Sequence, residues 1–269
     1  MNHSARSKTP ETTDFSANDE DRLFVRSAAR AFQVLSAFNE ARGPMSLSEI
    51  AQAAQLDRSA AQRLVHTLRK LGYLRRSEGD RGYLPGLPVL DHTLDMLRLD
   101  PLVQRATPVL LELRKTIKER IDLSLFDRTR MVYALRMQSK RETFYATLVG
   151  HSVPSYCTAG GRAALSALPR DEAAEIVQAS DLDARTKATL TDPEAILAAI
   201  DDARRDGYAV VREEYVLGEI ALGLPLVING KPMGAIHVAG SLSEWEPEGF
   251  VHQLAPFAME ASRAITAGF

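Results

Sequence analysis

Five polar side chains recur at helical spacing in one segment of this 269-residue chain. They are Arg58, Ser59, Gln62, Arg63 and His66. At about 100° per residue they fall on one side of a helix, and the other side is apolar. Arginine can donate two parallel hydrogen bonds to guanine and glutamine can pair with adenine, so this face carries the groups that read base edges. The pattern predicts a helix over residues 58–71 that binds double-stranded DNA.

The packed side of that helix and its neighbours indicate how it is held. The apolar side consists of Ala61, Leu64, Val65, Leu68 and Leu71. Residues 23–39 have helical apolar spacing, and Ser46 with Glu49 forms a capping box that opens a short helix through residue 54. Beyond Gly72, residues 73–76 and 83–84 read as two short strands around a glycine-containing turn. The order of three helices and a hairpin is that of a winged helix-turn-helix domain.

Further polar residues of this module are candidate DNA contacts. The hairpin arginines Arg75, Arg76 and Arg81 lack the placement for reading bases, so we assign them to the phosphate backbone. Ser46 and Ser48, at the start of the second helix, complete the predicted DNA-binding set. The alternative interpretation is an ordinary three-helix bundle with a solvated arginine face.

Charge is distributed unevenly along the chain. Residues 21–84 contain 11 basic and 6 acidic residues, whereas residues 85–269 contain 20 basic and 25 acidic residues, and the whole chain has a net charge of −2. A basic module is therefore joined to an acidic one. This asymmetry favours a polyanionic partner for the first module and argues against a second nucleic-acid site in the rest.

The remaining sequence alternates between helical and strand patterns. Leucines at three-to-four spacing from Leu87 to Leu97 predict a linker helix, and the end of the chain predicts a helix over residues 247–266. Between them we expect helices over residues 101–120, 158–168 and 193–206, and strands over 121–126, 131–137, 144–149, 208–215, 220–228 and 233–239. We predict an α+β fold in which this second module is a mixed α/β domain, with a mixed sheet and helices on one face.

The predicted domain boundaries follow from these patterns. Residues 1–20 are polar and predict a disordered tail, residues 21–84 form the winged helix-turn-helix domain, residues 85–100 the linker helix and residues 101–269 a ligand-binding domain. No apolar run is long enough to cross a membrane, and the first residues lack the apolar core of a signal peptide. We therefore expect a cytoplasmic protein with no membrane partner.

Several motifs together resemble one known family. In the first module they are RSAARAFQVL at 26–35, LSEIA at 47–51, RLVHTL at 63–68 and LGYL at 71–74; in the second they are GHSVPSYCTAGGRA at 150–163 and GYAV at 207–210, with Glu213, Glu214 and Gly218 downstream. The chain resembles the isocitrate lyase regulator (IclR) family of bacterial transcription factors. Its Tyr156-Cys157-Thr158 sequence is similar to the branch that regulates aromatic-acid catabolism, such as the protocatechuate and 4-hydroxybenzoate regulators.

The resemblance implies a GAF-like effector domain with a pocket on the concave side of the sheet, closed by the loop before the helix at Thr158. The family's effector positions correspond here to Ala159, Gly160, Val211, Ala221, His237 and Ala239. A glyoxylate-type sensor has Asp, Cys and two Ser at four of these positions, whereas this chain has mainly apolar residues. His237 is then the one titratable group of the expected pocket, which would suit a carboxylate with an apolar or aromatic body.

Two of these positions have ordinary structural alternatives. Small residues at 159–161, including Gly161, would let a ligand carboxylate approach free backbone N–H groups at a helix N-terminus, but the two glycines could equally serve tight packing. His237 lies in a strand, where a lone histidine is more often a hydrogen-bonded core residue than a ligand contact.

Enzymatic and metal-binding interpretations have little support. Cys157 and His151 could act as nucleophile and base, but no third orienting group is evident. The single cysteine cannot form an intrachain disulfide, and the six histidines include no metal-ligand spacing, so we expect no metal, no cofactor and no catalytic residue. The alternative function is a small-molecule-binding or hydrolytic protein whose basic module binds no specific DNA.

The resulting prediction is a regulator that binds operator DNA and a small-molecule carboxylate effector. A single winged domain makes few base contacts, so we expect a homodimer, or a dimer of dimers as the family implies, on a pseudopalindromic operator.

Overall fold

The computed structural model describes residues 22–138 and 149–269, which form two compact units divided between Arg98 and Leu99. The first unit contains four α-helices and a two-stranded sheet in its described part. These are α1 (Arg26–Ser36), α2 (Leu47–Ala53), α3 (Arg58–Lys70), β1 (Leu74–Arg76), β2 (Tyr83–Pro85) and α4 (Pro88–Leu99), with a 3₁₀ turn over Ala37–Glu40. The predicted order of three helices and a hairpin is confirmed.

Local side-chain caps fix the start of α2 and α3. The backbone N–H of Ser46 donates to Glu49 Oε2 at 2.7 Å, and the N–H of Glu49 donates to Ser46 Oγ at 3.2 Å, so the predicted capping box is confirmed. Asp57 Oδ1 accepts from the N–H of Ala60 at 2.8 Å. One assignment to the packed side was wrong: Leu71 follows the last residue of α3 and is 62% exposed.

The hairpin packs its backbone closely against the segment before α2. Tyr83 and Met45 exchange two backbone hydrogen bonds, of 2.8 and 3.0 Å. Gly82 has φ +149°, and a Cβ atom there would lie 2.6 Å from the Met45 carbonyl oxygen. A side chain is therefore excluded at this crossing. The unit's core joins α1, α2, α3 and β1 through buried Val34, Ile50, Ala54, Val65, Leu68 and Leu74.

The second unit is built on a six-stranded sheet with strand order β5-β4-β3-β8-β7-β6. Its helices are α5 (Pro101–Ile117), α6 (Ala159–Ser166), α7 (Arg170–Gln178), α8 (Pro193–Asp206) and α9 (Pro247–Thr266). Its strands are β3 (Arg120–Asp127), β4 (Arg130–Met137), β5 (Ser152–Pro154), β6 (Ala209–Arg212), β7 (Glu219–Ile228) and β8 (Lys231–Ser241).

The sheet differs from the mixed sheet that we expected, because every described strand pair is antiparallel. Short connections favour this arrangement. β7 and β8 are joined at Asn229-Gly230, where both residues have positive φ, +49° and +75°, as a type I′ hairpin requires.

Helices cover both faces of the sheet, not the one face that we expected. A Cβ atom on Gly223 would meet the backbone of Ala159 in α6, whereas one on Gly240 would meet the ring of Phe250 in α9. The physical reason is the burial of β8 at every position from Gly234 to Gly240. A strand that is buried on both sides needs cover on both sides.

Other boundaries differ in detail. α5 ends at Ile117 because Lys118 adopts a left-handed conformation with φ +58°, so Arg120 belongs to β3 and not to the helix that we expected to reach it. The strand predicted over residues 144–149 lies largely outside the described residues. β5 and α7 were not predicted; β5 is only three residues long and too short for a periodic signal.

Candidate DNA interface and ligand pocket

The polar side of α3 is exposed along its length. Arg58, Ser59, Gln62, Arg63 and His66 are all exposed, whereas Ala61, Val65 and Leu68 on the opposite side are buried in the unit's core. The Asp57 cap and the hydrophobic contacts hold the helix, with one further hydrogen bond from the Arg58 side chain to α2. Donors and acceptors on the exposed side are thus available to a duplex, as base reading in a major groove requires.

Ser46 and Ser48 of the predicted DNA-binding set have structural roles at the start of α2. Ser48 Oγ accepts a hydrogen bond of 3.1 Å from Arg58 Nη1, which ties the start of α3 to α2. This contact uses one of the five guanidinium N–H donors. Ser46 lies in the capping box, where its oxygen accepts from the backbone of Glu49.

The three hairpin arginines are exposed, and one of them is held in place. Arg76 forms an ion pair of 3.0 Å with Asp80, and its guanidinium lies 4.3 Å from the centre of the Tyr83 ring. Arg75 and Arg81 extend the basic surface of the hairpin. Such charges position a protein on the phosphate backbone without reading sequence.

The second unit contains a small cavity between α6 and the sheet, with an internal volume of about 30 Å³ and an open mouth. Its lining comes from the sheet, from the start of α6 and from the loop between β6 and β7. The lining residues are Arg120, Tyr133, Thr158, Ala159, Val211, Glu213, Glu214, Tyr215, Val216, Glu219, Ala221 and His237.

Four of the seven predicted effector positions line this pocket, namely Ala159, Val211, Ala221 and His237. The other three, Gly160, Gly161 and Ala239, are buried outside the lining.

The two glycines of α6 are explained by close packing. A Cβ atom on Gly160 would lie 2.2 Å from the His237 ring, and one on Gly161 would lie 2.2 Å from the Ser155 carbonyl oxygen. Of the two interpretations of the glycines, this geometry favours packing over ligand approach.

The pocket is more highly charged than we expected, and His237 is not its one titratable group. Arg120 lines it together with three glutamates and two tyrosines. The Arg120 Nη1 atom lies 2.6 Å from Glu219 Oε2, and its Nε atom lies 3.1 Å from Oδ2 of the fully buried Asp122. Although burial disfavours the charge, these two carboxylates raise the pKa of Arg120. Arg120 therefore carries its charge in the pocket.

Arg120 and its partners do not lie at the effector positions that the family resemblance implies, and they were not predicted. The sequence does contain a signal for them. Arg120, Asp122 and Ser124 alternate with apolar Ile121, Leu123 and Leu125, which places three polar groups on one face of β3. That face is the one toward α6.

His237 is both a hydrogen-bonded core residue and a lining residue. Its Nε2 atom lies 2.6 Å from Ser124 Oγ, and its ring centre lies 5.5 Å from that of Tyr133. Burial, followed by the charges of Arg120 and Arg136, lowers the pKa of His237 to about 3. The imidazole is thus neutral near pH 7 and offers a hydrogen bond, not a charge.

A buried ion pair fixes the wall formed by the segment after β6. Arg162 of α6 pairs with both carboxylate oxygens of Glu214 at 2.6 Å, and its Nε donates to the Tyr156 carbonyl at 2.8 Å. Thr189 Oγ1 also donates to the Glu214 carbonyl at 2.6 Å. Such a bidentate pair is geometrically specific, so it sets the position of the wall relative to α6.

The environment of Cys157 opposes a nucleophilic role. The residue is fully buried, and burial raises the pKa of its thiol to about 12, which suppresses the reactive thiolate. Within residues 22–138 and 149–269, no cluster of His, Cys, Asp or Glu has the arrangement of a metal site. No helix in the same part of the chain is long and apolar enough to span a membrane.

Two family models match the two units. Residues 27–78 match the IclR helix-turn-helix domain, and residues 95–267 match the bacterial transcriptional regulator IclR C-terminal domain. The chain is 29% identical to the Pca regulon regulatory protein of Pseudomonas putida, over 90% of this chain and 83% of that protein. It is 25% identical to the p-hydroxybenzoate hydroxylase transcriptional activator of Acinetobacter baylyi, over 87% and 88% of the two chains.

A solved structure shows the same fold. It is an IclR homologue from Microbacterium hydrocarbonoxydans complexed with 4-hydroxybenzoate, with a TM-score of 0.72 and 20% identity over 90% of this chain and 98% of that one. These similarities do not favour a hydrolytic protein that binds no specific DNA. On the match of both units to its domain models, the chain belongs to the IclR family of bacterial transcriptional regulators.

Proposed function

We propose that this regulator controls a catabolic operon in response to a small aromatic carboxylate. The observation that carries the proposal is the presence of an exposed basic helix in one unit and an open pocket lined by a charged arginine in the other. The effector would alter transcription by binding the DNA-binding and non-binding states of the protein with different affinity.

In this proposal α3 reads the operator and the hairpin positions the protein on it. Arg58, Gln62 and Arg63 have the side chains for base contacts, and Ser59 and His66 lie on the same exposed side. Arg75, Arg76 and Arg81 would bind phosphates, which adds affinity at every sequence.

The chemistry of the pocket supports an aromatic acid as effector. Tyr133 and Tyr215 line it with aromatic rings, Val211 and Ala221 supply apolar surface, and Arg120 supplies a positive charge. One similar regulator is named for p-hydroxybenzoate hydroxylase, and a protein of the same fold was solved with 4-hydroxybenzoate bound. An acid of this class is therefore the first ligand to test.

The proposed organisation assigns residues 21–84 to DNA binding, 85–100 to the linker helix and 101–269 to effector binding. α4, within the linker, has no buried residue and exposes Leu90 and Leu94 on the same side. An apolar side of this kind suits a second copy of the chain. We propose a homodimer, or a dimer of dimers, on an operator of matching symmetry.

The experiment is a separation of the two roles. An operator is selected from random duplexes with the full-length protein, and operator and acid affinities are then measured for Arg63→Ala and His237→Ala. Arg63→Ala should reduce the preference for operator over random DNA by about 10-fold or more and leave acid affinity unchanged. His237→Ala should weaken acid binding and leave operator preference intact.

A matched control tests whether the loss of any exposed arginine reduces operator preference. Arg212→Ala removes an exposed arginine from the second unit and should leave operator preference unchanged. Equal loss of both activities in Arg63→Ala, with a thermal transition like that of the wild type, would contradict the proposed separation.

A further inference from the structure

The guanidinium of Arg120 is held by two carboxylates in very different surroundings. Asp122 lies within the sheet with its side chain fully buried, and it accepts from Arg120 Nε at 3.1 Å. Glu219 is the first residue of β7 and lines the pocket, with a side chain that is 19% exposed, and it accepts from Arg120 Nη1 at 2.6 Å. One partner is therefore inaccessible to a ligand and the other is within its reach.

Arg120 lines the pocket, and its side chain is 19% exposed. Nη2 has no hydrogen-bond partner among the residues that the structure describes, and Nη1 is engaged only by Glu219. The planar guanidinium matches a carboxylate through two parallel N–H···O bonds. A ligand carboxylate that replaced Glu219 could thus form two bonds where Glu219 forms one.

We infer that Arg120 binds the carboxylate of the effector and that Glu219 is an internal carboxylate which the effector displaces. The inference rests on the proposed function and names the recognition step within it. Asp122 would keep the guanidinium oriented throughout the exchange, because its bond to Nε lies on the inner edge of the group.

This exchange makes the pocket selective for acids over neutral analogues. A carboxamide or alcohol of the same shape has no charge to replace that of Glu219, so Arg120 would be left with Asp122 as its ion-pair partner. Removing one of the two ion-pair partners of a largely buried arginine is costly, so a neutral ligand should leave the internal pair intact and bind weakly. The Arg120–Glu219 pair therefore favours anionic ligands over neutral ones.

The test uses the full-length protein and calorimetric titration with two matched pairs of probes, benzoate with benzamide and 4-hydroxybenzoate with 4-hydroxybenzamide. We expect the wild type to bind an acid about 30-fold more tightly than its amide. Arg120→Gln should remove this preference. Glu219→Gln should tighten acid binding by about 10-fold, because it removes the competing carboxylate and leaves the outer guanidinium nitrogens of Arg120 without a charged partner.

Glu213→Gln is the matched control. Glu213 also lines the pocket, but its Oε1 atom accepts from the backbone N–H of Gly218 and not from Arg120. Neutralising it removes one negative charge without freeing Arg120, so we expect only about a 2-fold gain in acid affinity. An equal gain in Glu213→Gln and Glu219→Gln would overturn the exchange in favour of a general charge effect.

The outcomes separate this inference from the proposed function. If Arg120→Gln does not fold because Asp122 loses an ion-pair partner, the acid affinity of Glu219→Gln is the deciding measurement. Unchanged or weaker acid binding by Glu219→Gln then overturns the exchange. If the wild type binds acid and amide equally, the inference fails and the proposed pocket stands. If the wild type binds neither acid, the aromatic effector fails and this inference fails with it.

Discussion

At the scale of single residues, the second unit depends on polar groups that are buried in pairs. His237 contacts Ser124, Arg120 contacts Asp122 and Glu219, and the imidazole is kept neutral by burial. Unpaired, each of these groups would cost stability. Pocket chemistry and the stability of the fold are therefore carried by the same side chains.

The neutral imidazole predicts a pH dependence of stability. The folded-state pKa of His237 is about 3, below the ordinary value of 6.5, so the unfolded chain binds the proton first as pH falls. Stability should therefore decline below about pH 6.5. Between about pH 7 and pH 5 the wild type should lose about 2 kcal/mol more than His237→Gln in denaturant unfolding.

Two features make this comparison specific. Asp122 has a pKa raised by burial, which acts in the opposite sense, but it is present in both proteins and cancels in their difference. His252→Gln, at an exposed position of α9, should follow the wild type. Parallel pH profiles for wild type and His237→Gln would show that the imidazole is not held neutral.

Individual residues were predictable from the sequence only where local geometry decides their role. The exposed side of α3 and the Ser46 and Glu49 cap follow from spacing within one helix turn. The pair of Arg120 and Glu219 joins residues from two strands that are not neighbours in the sheet. No local pattern contains that contact, because the strand order which brings the residues together is set by packing of the whole unit.

At the scale of elements, periodicity identified most helices and strands but not their surroundings. α8 and α9 were predicted with the observed bounds because each has Pro at its first position, and α8 also has Asp192 and Gly207 as caps. We expected helices on one face of the sheet, whereas the structure has them on both faces. Alternation in β8 is weak because both of its sides are buried, and an even apolar pattern does not reveal which face a helix covers.

The exposed side of α4 predicts a role in self-association. Leu90 is 64% exposed and Leu94 is 63% exposed, one helical turn apart. Replacing both with Glu should convert a dimer to a monomer in sedimentation experiments and weaken operator binding by about 100-fold, because each half-site would then be bound alone. Asp91→Ala with Asp95→Ala, on the same helix, is the control for altered charge and should stay dimeric.

Retention of the dimer in the double leucine variant would place self-association elsewhere in the chain. Loss of the dimer with unchanged operator affinity would contradict the proposed use of paired half-sites.

At the scale of the whole molecule, the two units have complementary chemistry. The first is basic and exposes a recognition helix, and the second is acidic and encloses a pocket with a charged arginine. The family assignment explains why both occur in one chain. Two separate binding sites do not make a regulator, however. The binding of each ligand must also alter the protein's affinity for the other ligand.

The most direct measurement of this central claim is a reciprocal titration. The affinity of the full-length protein for its selected operator is measured with and without the tightest-binding acid of the probe set, and the affinity for that acid is measured with and without operator. Thermodynamic linkage requires the two ratios to be equal, and we predict that both differ from one by about 5-fold or more. If both ligands bind and both ratios equal one, the protein is not a sensor of that acid, and the account is contradicted.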